Sequence, residues 1–235
     1  MSVGSVAEFD EATDPSDKSP HREYRHNLLI RDGRTRYHYD QSGRLIRKAI
    51  TRLSRKADIW HYHYNSLDQL TDVWTPDSQW WHYTYDALGR RSSKQHLAPG
   101  GALLSRIEYM WDSTTLTEQT TRGATTRWHY EPLTNSPLAQ TTDDATVGHS
   151  LCAVLTDLIG TPIELVDPIA VETVGRATTC LWGSMSWSGS CHSLLRFPGQ
   201  IHDPETDLHY NFHRVYDPRT GRFLTQDPLG LIPAP

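Results

Sequence analysis

The chain is short of the residues that usually signal chemistry. Its 235 residues include 3 Cys, 3 Met and 4 Phe. The cysteines, Cys152, Cys180 and Cys191, are odd in number and widely spaced, which fits neither a zinc site nor a disulfide framework. They read as buried thiols, with a Cys180–Cys191 bridge across the Trp182–Trp187 loop as the lesser alternative. Long apolar runs are also missing. The longest, around Leu151–Leu155, is far too short to span a bilayer. The first residues, Met1-Ser-Val-Gly-Ser-Val-Ala-Glu8, show neither a basic start nor an apolar stretch, so no signal peptide is expected and export would need another route or a partner. A net charge of −5 argues against a nucleic-acid surface. Arg44, Arg47, Lys48, Arg52, Arg55 and Lys56 do cluster, and read as a solvated face. There is no Gly-x-Ser-x-Gly elbow, phosphate loop or dinucleotide fingerprint, and no cofactor is expected.

What is abundant is Trp and Tyr, 8 and 11 residues respectively. They recur in a repeat. Arg36-Tyr-His-Tyr-Asp-Gln-Ser-Gly-Arg-Leu45 is one copy, Trp60-His-Tyr-His-Tyr-Asn-Ser-Leu-Asp-Gln-Leu70 a second, and Trp81-His-Tyr-Thr-Tyr-Asp-Ala-Leu-Gly-Arg90 a third. Degenerate copies follow at Tyr109–Asp112 and Trp128–Glu131. Within a copy the rings alternate with other residues, so Trp60, Tyr62 and Tyr64 share one face of a strand and His61 and His63 the other. Asp40, Asn65 or Asp86 then opens a turn by accepting backbone hydrogen bonds. Gly43 or Gly89 supplies the left-handed residue that closes it, and Asp68 replaces that glycine in the second copy. One repeat is therefore one β-hairpin. A lone hairpin cannot bury its aromatic face, so hairpins must stack.

Further along, Leu195–Leu231 carries two Asp-Pro-x-Thr turns, at Asp203-Pro204 and Asp217-Pro218, and ends in Asp227-Pro228-Leu-Gly230-Leu231. Gly221 closes the second turn, and Asp207 takes the equivalent place in the first. This stretch resembles the core-associated region of Rhs (YD-repeat) proteins. The upstream copies resemble the YD repeats of Rhs, teneurin and Tc-toxin C-component shells, and Thr156–Asp167 resembles a further element of that family. The resemblance spans about residues 25 to 231. It implies an all-β fold of consecutive antiparallel hairpins, an open segment of a YD-repeat β-shell. The expected organisation is a disordered polar segment (1–24), YD-repeat hairpins (25–168), an irregular loop-rich segment (169–193) and the core-associated region (194–235).

The resemblance also implies encapsulation and delivery of a toxin in bacterial competition. The expected partners are other shell segments or a toxin domain of a longer Rhs protein. The chain would be made in the cytoplasm and reach the outside or the cell surface as part of a larger system. With so few hairpins, it reads as a truncated segment that lacks the toxin domain. Family-type aspartyl autoproteolysis would fall on Asp217 and Asp227, with Arg222 as electrostatic partner. The sequence holds no second Asp-Pro-x-Gly-Leu motif for the cut, so cleavage is not expected. The plainer reading of Asp203, Asp217 and Asp227 is turn capping before proline. Two other readings bear on the rings and the histidines. The Trp and Tyr rows could form a carbohydrate-binding surface, against simple core packing. His61, His63, His82, His129, His202, His209 and His213 could bind metal, but no third converging ligand can be placed, and they read as exposed strand histidines.

Overall fold

The computed structural model describes residues 22–132 and 134–227. Among them there are twenty β-strands and no helix. Sixteen form one sheet: β1 (Arg22–Arg25), β2 (Leu28–Asp32), β3 (Thr35–Tyr39), β4 (Leu45–Ile50), β5 (Asp58–Tyr64), β6 (Leu70–Trp74), β7 (Trp80–Tyr85), β8 (Arg91–Leu97), β9 (Leu103–Asp112), β10 (Thr115–Thr121), β11 (Ala124–Tyr130), β12 (Pro137–Asp144), β13 (Gly148–Thr156), β14 (Pro162–Asp167), β15 (Glu172–Thr179) and β16 (Met185–Gly189). Each pairs antiparallel with its neighbours in sequence, an uninterrupted meander. The remaining four, β17 (Ile201–Asp203), β18 (Leu208–Asn211), β19 (Arg214–Asp217) and β20 (Arg222–Phe223), make a second antiparallel sheet.

The turn chemistry expected from the repeats is present. Asp40 Oδ1 accepts from the Ser42 and Arg44 amides at 2.9 and 3.0 Å, and Gly43 closes the turn at φ 75°. Asn65 and Asp86 do the same, closed by Asp68 at φ 59° and Gly89 at φ 81°. Each such hairpin is a repeat: β3–β4, β5–β6 and β7–β8.

A second regularity links one repeat to the next. In four copies the last ring donates a hydrogen bond to a carbonyl at or near the start of a strand in the preceding hairpin. Tyr39 reaches Leu29 within β2, and Tyr64 reaches Leu45 (2.8 Å), Tyr85 reaches Leu70 (2.6 Å) and the Trp111 indole reaches Arg91 (2.8 Å), each at a strand start. Burying an aromatic ring with its polar tip satisfied is what makes Tyr and Trp suitable here. The ladder also explains why the anchors recur at the pitch of one hairpin.

The rings collect on one face. Tyr37, Tyr62, Tyr83 and Val73 are buried there, with Trp60, Trp81 and Tyr85 packed beside them. The second sheet covers this face: Leu208, Val215 and Leu224 enter the same cluster, and Leu195, Ile201 and Tyr210 pack on Tyr109, Leu116 and Trp128. A third cluster, Cys152, Val154 and Leu165, lies further along the large sheet.

Three expectations need correction. The sequence reading carries the polar N-terminal segment through residue 24, but strand β1 starts at Arg22, held by an ion pair to Asp32 at 3.2 Å; the rest of that segment lies outside the described residues. The segment 169–193 is not irregular, because β15 and β16 extend the sheet through it. Gly175 and Gly189 stand opposite each other in that ladder, so backbone bonds continue where there is no alternating apolar pattern to read. Lys48 is not on a solvated face: it pairs in register with Tyr37 and Trp60, is 5% exposed, and lies 4.5 Å from the Trp60 ring centre.

Candidate functional site at the seam between the sheets

β8 leaves the Gly89 turn with Arg91, then Lys94 three residues on. A strand bulge opposite Tyr85 and the pairing of Lys94 with Tyr83 put both cations on the ring face. The first turn of the second sheet brings Asp203 and Glu205 to them. Arg91 Nη1 donates to both Asp203 carboxylate oxygens at 2.8 Å. Lys94 Nζ donates to Asp203 at 3.1 Å and to Glu205 at 2.9 Å, and the Tyr83 hydroxyl donates to Glu205 at 2.8 Å. All four charged side chains are at most 4% exposed. Two cations meet two anions, so the cluster is neutral.

Aromatic rings complete it. The Arg91 guanidinium lies 4.3 Å from the Tyr83 ring centre and 4.1 Å from that of Tyr210. The Arg91 amide donates to the Tyr210 hydroxyl at 2.9 Å. Burial opposes ionisation of Asp203, but Arg91 and Lys94 together overcome it and hold the carboxyl below its ordinary value. Burial likewise opposes charge on Lys94, yet Tyr109, Asp203 and Glu205 around it leave its ammonium well above the usual range. Such a cluster orients rather than reacts: every charge is matched, and the groups are closed off from water. Its role is to fix the second sheet at one position on the first.

The residues expected by resemblance to cleave are not gathered into a comparable site. Asp217 caps its own turn, accepting from the Arg219 amide at 2.9 Å through its side chain and from Gly221 (φ 71°) at 2.9 Å through its carbonyl. It is buried, and shares a cavity of about 310 Å³ with Tyr37, Lys48 and Arg219. Arg222 is its cross-strand neighbour but donates to the Asn27 carbonyl at 2.7 Å, with its guanidinium over the Tyr24 ring. Asp227 pairs instead with Arg214, at 3.0 Å. In the Asp203-Pro204 turn only the Asp203 carbonyl accepts, from the Thr206 and Asp207 amides, while its carboxylate turns to Arg91 and Lys94; Asp207 takes the left-handed conformation at φ 58°. Pro228 and Gly230 lie outside the described residues.

The histidines divide. His61 and His63 are exposed, as expected. His209 is 1% exposed, with Nδ1 2.9 Å from Gln200 Oε1, and His202 is largely covered, 5.8 Å from it ring to ring. Their strands, β17 and β18, belong to the covered second sheet, so they are not surface residues. Among the described residues no group of three His, Cys, Asp or Glu is placed to hold a metal.

Sequence reasoning missed Arg91, Lys94 and Glu205. Counting outward from the Asp86 turn places Arg91 opposite Tyr85, on the ring face, but Lys94 comes opposite Tyr83 only through the bulge between them, which the sequence does not mark. Nothing in the sequence pointed to Asp203 as its partner.

A family model, teneurin YD-shell, matches residues 24–131. The chain is 30% identical over 214 residues to the probable deoxyribonuclease RhsA of Dickeya dadantii (strain 3937), covering 89% of this chain and 15% of that protein. It is 29% identical over 233 residues to the double-stranded DNA deaminase toxin A of Burkholderia cenocepacia (strain H111), covering 87% of this chain and 16% of that protein. The crystal structure of TcdB2-TccC3-TEV matches 84% of this chain and 12% of its own, with a TM-score of 0.57 and 17% identity. An open, all-antiparallel meander of aromatic hairpins, with a ring face covered by its own C-terminal strands, is a segment of a YD-repeat β-shell. The chain belongs to the Rhs/YD-repeat shell family, and spans only a small part of the length of these relatives.

Proposed function

We propose that this chain is a length of wall of an Rhs-type shell that encloses a toxin for delivery, and that its second sheet seals the wall's inner face. The observation that carries this reading is the buried Arg91–Lys94–Asp203–Glu205 cluster, which locks the Asp-Pro turn region onto the ring face. Support comes from relatives named as a toxin and a deoxyribonuclease, of which the chain matches a minor part. The partners are further shell segments and an enclosed toxin domain. The edge strands β1 and β16 are where a further segment would add, because an open sheet edge leaves backbone groups to be paired.

In this reading the chain itself is not a protease. Asp217 and Asp227 hold separate structural partners. The test is the intact mass of the purified chain with size-exclusion light scattering. A full-length mass and an oligomeric profile are expected. A shortened product that disappears in Asp227→Asn would overturn the non-enzymatic part, and a clean monomer would overturn the open-edge part.

A carbohydrate-binding surface has one specific support. On the outer face, Trp74 and Trp80 stack at 5.6 Å with 21° between planes, and Asp72 accepts from the Trp80 indole at 2.8 Å. The other tryptophans with assigned neighbours in the repeats pack inward. Saturable quenching of Trp fluorescence by glycans, lost in Trp80→Ala, would support this reading; no quenching would remove it.

A further inference from the structure

The third core cluster contains a chemistry that the shell architecture does not use. Cys152, in β13, is 4% exposed. Cys191 lies 39 positions later, in the strap that leaves β16 for the second sheet, and its sulfur is 3.5 Å from that of Cys152. The strap is held in place on both sides of this point. The Ser190 and Cys191 amides donate to the Val174 carbonyl at 2.9 and 3.0 Å, and the Gln140 side chain donates to the His192 carbonyl at 3.1 Å. The two thiols are therefore presented to each other by elements that are already fixed. Both also line a cavity of about 520 Å³, together with Trp128, Gln140, Ser190 and His192, which gives a small reagent a way in. Cys180, the partner considered from sequence, is exposed in the preceding turn, where its amide bonds Ser184.

We infer that Cys152 and Cys191 form a dithiol site that closes to a disulfide when the protein meets a low-molecular-weight disulfide oxidant. The order of events follows from access. Cys191, the less buried thiol, gives up its proton and attacks one sulfur of the oxidant, releasing one thiol and forming a mixed disulfide. Cys152 then loses its proton and attacks the Cys191 sulfur, expelling the second thiol. Two protein thiols and one oxidant disulfide become one protein disulfide and two small thiols. Burial, and then the contact with Cys191, push the Cys152 thiol up to about 12, which makes Cys152 the slow, resolving partner. The bond would tie the large sheet to the strap that feeds the second sheet. It would fix the departure point of the seam-forming segment independently of the ion cluster. The inference does not depend on the proposed function.

The test uses the full chain and oxidised glutathione. After incubation, remaining thiols are blocked with N-ethylmaleimide and the chain is digested and mapped by mass spectrometry. The expected result is a linked peptide joining Cys152 and Cys191, with Cys180 alkylated. Cys180→Ser keeps the link, and Cys152→Ser halts the reaction at a glutathione adduct on Cys191. Oxidation of the unmodified chain raises its melting temperature by roughly 5 °C or more, as expected for closing a loop of this length. A stable Cys191–glutathione adduct in the unmodified chain, a bridge to Cys180, or three free thiols at an oxidising poise would each overturn the inference.

Discussion

Arg91 Nη1 donates to both carboxylate oxygens of Asp203 at 2.8 Å, across 112 positions of sequence and from one sheet to the other. The pair lies between the rings of Tyr83 and Tyr210, where water does not screen it. Removing one member leaves a buried charge without its counter-ion. Asp203→Asn should therefore cost about 3–5 kcal/mol, whereas the joint replacement Arg91→Met with Asp203→Leu should recover most of that loss. Urea unfolding of the two variants beside the unmodified chain checks both statements. Equal destabilisation by the single and double variants would show that the charges matter for more than their mutual neutrality.

The hydroxyl ladder gives a smaller and more local prediction. Tyr64→Phe and Tyr85→Phe each leave a strand-start carbonyl, of Leu45 or Leu70, without its donor. Each should lose about 1 kcal/mol. Tyr24→Phe, at an exposed ring, should change stability by less than about half of that.

Residue type separates two turn positions that share the left-handed conformation. Gly89→Ala places a side chain at φ 81° and should cost about 1–2 kcal/mol. Asp207→Gly relieves a left-handed residue at φ 58° and should gain up to about 1 kcal/mol. Thermal melts of the two variants should move in opposite directions.

The second sheet should be acid-sensitive. Burial, and then Arg196, push His202 down to about 4 and His209 down to about 3, from an ordinary value of 6.5. Below about pH 6.5 the unfolded chain takes up protons that the folded chain refuses, so stability falls with pH until these folded values are reached. Asp203 acts in the same direction at lower pH. Its carboxyl is held below 3.8, so its contribution is present above that value and is lost as pH falls through the folded one. Urea midpoints at pH 7, 5 and 4 should decline steadily. His202→Gln with His209→Gln should flatten the decline between pH 6.5 and 4 and leave the more acidic part unchanged.

Much of the fold could be read directly from the chain. Asp40, Asn65 and Asp86 mark turns because their side chains satisfy amides only a few residues away, and Trp60, Tyr62 and Tyr64 mark a face because strand geometry alternates with period two. Both effects are local, so sequence spacing alone carries them. β15 and β16 were not legible: their ladder runs through Gly175 and Gly189, where backbone pairing needs no pattern of side chains.

The sequence by itself determined the hairpins, their turn residues and the family. The tertiary structure decided which charges are buried, and with whom. Lys94 and Arg91 look like surface cations in the sequence, and Asp203 looks like a turn cap, because local spacing is blind to a partner more than a hundred residues away. Only when the second sheet folds back over the ring face do these groups leave water. Once there, the cost of an unmatched buried charge makes their pairing a condition of the fold.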